Sequence, residues 1–227
     1  MEKDGFSWWK ERLSFALELF DGVRIDHFRG FESFWAVKGT EKTAKNGKWV
    51  KGPGIKLFNA IKEELGEVNV IAEDLGYLTQ EVIDFRNETG FPGMKVLQFA
   101  FDRRDPSGID YLPHNFIENC VAYTGTHDND TIIGWFQEAA GDDTMYAREY
   151  LHITEDTDLN WQMLDALWES IANLTIVQSQ DLLGLGSEAR MNEPSTVGKN
   201  WQWRAKPGVF TKELADKIYE KMRLYNR

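Results

Sequence analysis

Three acidic residues stand where short apolar runs stop: Asp26 after "VRI", Glu73 after "VIA" and Asp128 in "VAYTGTHD". If those runs are neighbouring parallel strands, all three carboxylates face one pocket at the strands' carboxyl ends. Paired carboxylates suit retaining chemistry on a glycosidic bond, in which one stays ionised as a nucleophile and the other supplies a proton. The stretch "DGVRIDHFRG" packs two acidic, two basic and one imidazole side chain around Asp26. Arg24 lies two residues before Asp26, hence on the same face of a strand, where a cation favours the ionised carboxylate. Glu73 follows the apolar run "VNVIA", whose surroundings would hold a proton on it.

Each acid taken singly also has a structural reading. Asp26 can pair with Arg24 or Arg29. Glu73 and Asp74 can open a turn or a helix, and Asp128 can belong to a capping cluster, although Asp130 is better placed to cap "TIIGWF". Three such acids at three strand ends would need three separate structural causes. Metal chemistry is the main competitor, because "DH" at 26–27 and "HDND" at 127–130 offer His and Asp ligands. The second run lacks the calcium-loop spacing, and no H-x-H pair accompanies it, so no metal is expected. No nucleophile-elbow sequence occurs, and Cys120 in an apolar run reads as a small buried side chain.

The elements that must position these residues alternate. Residues 7–20 carry Trp8, Leu13, Leu17 and Phe20 at helical spacing before the strand-like "GVRID". The Gly-, Lys- and Thr-rich segment at 31–54 has no sustained period and reads as a long loop. A helix follows at "IKLFNAIKEELG" with Gly66 as C-cap, and "VNVIAED" has the continuous apolar character of a strand buried on both faces. "TQEVIDFRNETG" reads as a helix capped by Thr79, "MKVLQFAF" and "CVAYTG" as strands, and "TIIGWFQEAA" as a helix. Helical stretches near 143–152 and 161–173, a strand near 177 and a helix over 211–225 complete the pattern. Five strands alternating with helices imply α/β architecture with a parallel sheet, and the absence of a glycine-rich dinucleotide fingerprint favours a barrel over a nucleotide-binding fold.

Composition narrows the partners. The 227 residues include 42% hydrophobic types, enough for a sizeable core. Thirty-seven acidic against 26 basic residues give a formal charge of −11, which disfavours nucleic acid and anionic membranes. With one cysteine, no apolar run long enough for a membrane span and no signal-like start, the expectation is a soluble cytoplasmic protein. Nine tryptophans and fourteen phenylalanines mostly fill a core, with some available as stacking platforms for sugars.

At the acids the sequence resembles amylomaltase, the 4-alpha-glucanotransferase family of the alpha-amylase-type glycoside hydrolases. "VRIDHFRGFESFW", "VIAEDLG", "GFPGMKVLQFAF", "YLPHN", "VAYTGTHDNDTIIGW", "QDLLGLGSEARMNEP" and "NWQWR" are similar to that family's segments, in the same order. The resemblance implies Asp26 as nucleophile, Glu73 as acid and base, and Asp128 as stabiliser of the distorted sugar. It implies that Arg24 and His127 orient these groups. It also gives Asn192 as a substrate contact and Phe99 as a border of the acceptor side. Asn192 read alone is equally a loop-stabilising amide, and Phe99 read alone is plain core.

The family members resembled are roughly twice as long. The expectation is therefore a partial (β/α)8 TIM barrel, with residues 1–227 forming its carboxyl-terminal part, about the last five strands, and the first strands absent. The function implied is transfer of alpha-1,4-glucan segments between maltooligosaccharides by double displacement, without a cofactor. Two alternatives stand beside it. One is an inactive partial barrel that binds glucan weakly or associates with a complementary amino-terminal half or with itself. The other is a related alpha-glucan hydrolase.

Overall fold

The computed structural model describes every residue except Tyr77 and Asp156. It divides into two compact units, Met1–Met94 and Lys95–Arg227.

In the first unit, helix α1 (Ser7–Leu19) precedes strand β1 (Val23–Ile25). The buried face of α1 differs from the expected stripe. Phe6 and Leu13 are buried with Trp9 packed beside them, whereas Trp8 and Phe20 are exposed. Trp9 meets the ring of Phe31 at 5.0 Å, edge to face, on the side of the helix that packs against the core.

The segment expected as a loop after β1 instead contains an antiparallel hairpin, β2 (Ser33–Val37) with β3 (Gly47–Lys51). Its register places Trp35 opposite Trp49, an aromatic cross-strand pair of the kind that stabilises a two-stranded ribbon. The hairpin returns to its base at Gly52, whose N–H donates to Glu32 O at 2.8 Å. Gly52 packs so closely on the Phe31 backbone that a Cβ has no room there.

Helix α2 (Ile55–Leu65) ends at Gly66, whose positive φ of 76° suits glycine. Strand β4 (Val70–Ala72) pairs parallel to β1, with Val23 opposite Val70, Arg24 opposite Ile71 and Ile25 opposite Ala72. Helix α3 (Gln80–Thr89) has Thr79 at its N-cap position, without a side-chain capping bond. Phe28, Phe31, Phe58 and Phe85 gather over these strands, Phe28 stacking on Phe85 at 5.2 Å. Burial of such rings is worth roughly 1.5–3 kcal/mol each.

Strand β5 (Gly93–Val96) spans the division between the units. The strand expected over 94–101 stops at Val96, and a 3-10 turn over Leu97–Phe101 follows. Here the side-chain amide of Gln98 donates to Asp130 O at 2.8 Å, while its backbone N–H donates to Thr124 O at 3.3 Å. The second unit continues with β6 (Cys120–Tyr123), α4 (Ile132–Glu138), α5 (Gly141–Tyr150), α6 (Leu159–Glu169), β7 (Leu174–Ile176), α7 (Ser179–Leu182) and α8 (Lys212–Tyr225). Its sheet has the order β5-β6-β7, with β6 and β7 parallel. Cys120 is buried within β6.

The N-cap of α4 is Thr131, whose hydroxyl accepts the N–H of Gly134 at 3.0 Å, and not Asp130 as expected. Asp130 is held elsewhere, accepting the Ser187 hydroxyl at 2.6 Å and the Thr131 N–H at 2.7 Å. The architecture is α/β.

Candidate active site

Asp26 and Glu73 are the residues that follow the paired ends Ile25 and Ala72 of β1 and β4. The ladder continues past the strands, because Glu73 N–H donates to Ile25 O at 2.9 Å and Phe28 N–H donates to Glu73 O at 2.9 Å. Neighbouring strands lie about 4.8 Å apart, so the two acids leave the sheet side by side. Between them His27 takes a left-handed conformation, φ 50°. For a residue with a Cβ that is a strained backbone, held here by its surroundings. One hold is Phe28, fully buried in the aromatic cluster. Another is Glu73 itself, whose Oε2 accepts the His27 N–H at 2.6 Å while Oε1 accepts the Leu75 N–H at 2.8 Å.

The apolar shielding expected for Glu73 belongs to the strand below it, where Val70 and Ala72 are buried. The carboxylate itself is half-buried and spends its oxygens on backbone donors. Arg24 Nη2 lies 2.7 Å from Asp26 Oδ1, and its Nε donates to Met94 Sδ at 3.2 Å. Asp26 is 80% exposed and Arg24 27%, so the guanidinium is anchored and the carboxylate is open to a ligand. Beneath this pair Asp74, 4% exposed, accepts from Arg86 Nη1 at 2.5 Å and from the Met94 N–H at 2.7 Å. That buried pair holds the chain after β4 against the start of β5.

In the second unit, Asp128 sits in a turn after β6 built by Thr126 and Asn129. Asn129 Oδ1 accepts the Thr126 N–H at 2.8 Å, and Thr126 Oγ1 accepts the Asp128 N–H at 3.3 Å. Asn192 Nδ2 donates to Asp128 Oδ1 at 2.6 Å, and its N–H donates to His127 O at 3.1 Å. Arg190 Nη2 donates to Asp128 O at 2.7 Å. His127 Nε2 stands 3.5 Å from Asp128 Oδ1. A cavity of about 570 Å3 has both Asp128 and Phe99 in its lining, with Trp135 and Arg190 among the other walls. Phe99 is half-buried and meets the ring of Tyr111 edge-on at 5.4 Å.

Thus Arg24, Asp26 and Glu73 come together in the first unit, and Phe99, His127, Asp128 and Asn192 in the second. Among the described residues no group of three His, Cys, Asp or Glu side chains is set to hold a metal ion.

Two residues of this second cluster escaped the sequence reading. Trp201, in "NWQWR", lays its ring 5.1 Å from His127, at a backbone φ of 64°. Asp181, in "QDLLGLG", is fully buried and clamps both ends of the loop that carries Asp128. Its Oδ2 accepts the Thr124 hydroxyl at 2.6 Å and its Oδ1 accepts the Ile132 N–H at 2.7 Å. Burial pushes its carboxyl up to about 6, against the pull of those two hydrogen bonds. No local signal marked Asp181, which follows the polar run Gln178, Ser179 and Gln180.

The glycoside hydrolase family 77 model, described as 4-alpha-glucanotransferase, matches residues 1–211. The chain belongs to this 4-alpha-glucanotransferase family. It is 55% identical to the 4-alpha-glucanotransferase of Clostridium butyricum over 228 aligned residues, covering 100% of the chain and 46% of that relative. It is 48% identical to the Thermus thermophilus 4-alpha-glucanotransferase over 220 aligned residues, covering 94% of the chain and 44% of the relative. The structure of amylomaltase from Streptococcus agalactiae in complex with acarbose superposes with a TM-score of 0.93 at 38% identity, over 100% of the chain and 46% of that structure. The chain thus spans about half the length of the 4-alpha-glucanotransferases it matches.

Proposed function

We propose that residues 1–227 are the acid-bearing, carboxyl-terminal part of a (β/α)8 catalytic barrel, contributing about its last five strands. The protein would transfer alpha-1,4-glucan segments between maltooligosaccharides with retention of configuration. The observation that carries this reading is the register of β1 and β4, which sets Asp26 and Glu73 on adjacent strand ends. Retaining enzymes hold their two carboxyl groups about 5–5.5 Å apart, the scale of one strand spacing.

In this reading an Asp26 oxygen attacks the anomeric carbon of the donor glucan. The glycosidic bond breaks, the leaving oxygen takes a proton from Glu73, and a glucosyl ester forms on Asp26. The acceptor hydroxyl then attacks the same carbon while Glu73 removes its proton, and Asp26 is released as a carboxylate. Arg24 orients the nucleophile. Asp128, steadied by Asn192 and His127, binds sugar hydroxyls and offsets the positive charge of the transition state. Phe99 borders the acceptor. No step calls for a cofactor. Acarbose, bound by the Streptococcus agalactiae relative, is the expected ligand of this site.

Product analysis on maltotriose tests the reading. Transfer yields longer oligosaccharides, and Asp26→Asn or Glu73→Gln abolishes them. Release of glucose and maltose alone would make the protein a hydrolase, and unchanged products in both variants would end the assignment.

Exposed apolar side chains favour a second reading beside the first, association with complementary residues or with another copy. Phe15, Leu19 and Phe20 at the end of α1 are 60–63% exposed, and Leu174 and Ile176 on β7 are 48% and 39% exposed. Size-exclusion chromatography decides it, because a monodisperse active monomer leaves no such association. No described helix is long and apolar enough to cross a membrane.

A further inference from the structure

A second cavity, of about 430 Å3, lies wholly within the second unit and shares no lining residue with the first. Its place in the topology separates it from the acids. Pro113 and His114 precede β6 and Ile171 precedes β7, so it opens at the amino ends of these strands, while Asp128 follows the carboxyl end of β6. Nothing in the proposed reaction uses its residues.

The lining mixes three chemistries. Gln162, Asp165 and Glu169 fall on one face of α6, at i, i+3 and i+7. They supply acceptors, and the Gln162 amide adds donors. Tyr150 and Tyr225 close α5 and α8 and present ring surface. The Tyr150 hydroxyl lies 2.8 Å from His114 Nδ1, which fixes both rings. Leu151, Ala166 and Ile171 add apolar floor.

The charges decide which ligand fits. Lys221 Nζ pairs with Asp165 Oδ2 at 2.6 Å, and the Arg227 guanidinium donates to the carbonyls of Trp168, Ser170 and Ala172, so these cations beside the wall are already engaged. Glu169 adds a negative charge, which disfavours an anionic ligand. No metal-holding group of side chains occurs among the described residues. Asp165 is already partnered, by Lys221 and by the Tyr225 side chain, which leaves the Gln162 amide and the Glu169 carboxylate to meet a ligand. What suits this wall is an uncharged molecule carrying several hydroxyl donors and one apolar face.

The geometry points to a second, non-reacting carbohydrate site that holds a glucosyl or maltosyl unit of an alpha-glucan. The choice of glucan among sugars rests on the proposed function, while the site itself rests on its own lining. Its volume falls in the range of small-molecule sites, roughly 300–1,000 Å3. A glucan tethered there would raise the local concentration of chain ends without touching the acids.

The test is a titration of the full chain with maltose, followed by backbone amide signals in NMR. Saturable shifts at Tyr150, Gln162, Glu169 and Tyr225 are expected in the unaltered chain and in Asp26→Asn. The double variant Gln162→Ala, Glu169→Gln should bind maltose at least tenfold more weakly there. Both positions are exposed or half-buried, so the fold should persist, and matching amide spectra elsewhere verify it. Unmoved signals, or a double variant that binds as tightly as the unaltered chain, would overturn the site. A parallel titration with Tris that moves these signals when maltose does not would overturn the sugar assignment in favour of an amine. Maltotriose transfer keeps the two claims apart: transfer without maltose shifts sinks only this site, and shifts without transfer support the site while ending the transferase reading.

Discussion

Glu73 accepts the backbone N–H of His27 at 2.6 Å, so the proposed acid holds in place the strained residue that follows the proposed nucleophile. The bond couples the chemistry of one strand end to the backbone of the next. Any change at Glu73 therefore acts on the position of Asp26 as well as on proton transfer.

Glu73→Gln should lose on two counts. An amide can accept only one of the two N–H bonds and turns an NH2 group toward the other. Stability should fall by about 1 kcal/mol, read from a urea midpoint. Transfer from maltotriose should fall by about 10²–10⁴-fold through loss of the proton donor. A variant with full activity would remove Glu73 from the mechanism.

Arg24→Ala separates orientation from stability. The Arg24 and Asp26 pair is open to solvent on the carboxylate side, so its loss should cost less than about 1 kcal/mol in folding. Turnover should drop up to about 100-fold with KM little changed, because a misplaced nucleophile slows chemistry more than binding. Steady-state kinetics beside a melting curve check both numbers, and a rise in KM alone would recast Arg24 as a sugar contact.

Asp181 should make stability depend on pH. Its folded pKa of about 6 lies above the ordinary value of 3.8, so the protonated form is favoured in the folded state. That contribution is fully present below about pH 4 and is lost as pH rises through about 6. A shift of this size corresponds to about 3 kcal/mol. Urea midpoints measured from pH 4 to 7 should show the decline from this group in the unaltered chain and its absence in Asp181→Asn. The amide can still accept from the Ile132 N–H and donate to the Thr124 hydroxyl. An identical pH profile in the variant would show that Asp181 is ionised throughout.

Arg86→Leu should destabilise the first unit by about 3–5 kcal/mol, because it strands the buried Asp74 carboxylate. Adding Asp74→Asn should recover part of the loss, since the amide still accepts the Met94 N–H. Thermal melts of the single and double variants give the comparison, and equal melting points for Arg86→Leu and the unaltered chain would mean that water replaces the guanidinium.

By itself the sequence determined the alternation of strands and helices outside residues 31–54 and the acids at the strand ends. Apolar runs such as "VNVIA" and "CVAY", and helical repeats such as "IKLFNAIKEEL", are local signals that their own residues settle. The pairing of Arg24 with Asp26 was legible for the same reason, two residues apart on one strand face. Tertiary structure decided what depends on residues far apart in the chain. The β2–β3 hairpin lay hidden in a Gly- and Lys-rich segment because its strands are stabilised by facing one another, Trp35 against Trp49. Thr131 took the cap that Asp130 could have made because Ser187, 57 residues away, engages Asp130. Asp181 clamps the Asp128 loop from across β7, and Glu73 turns its carboxylate to the His27 backbone instead of to an apolar pocket. A one-dimensional pattern records which side chains share a face of one element; which donor finally meets which acceptor is set only when the elements pack.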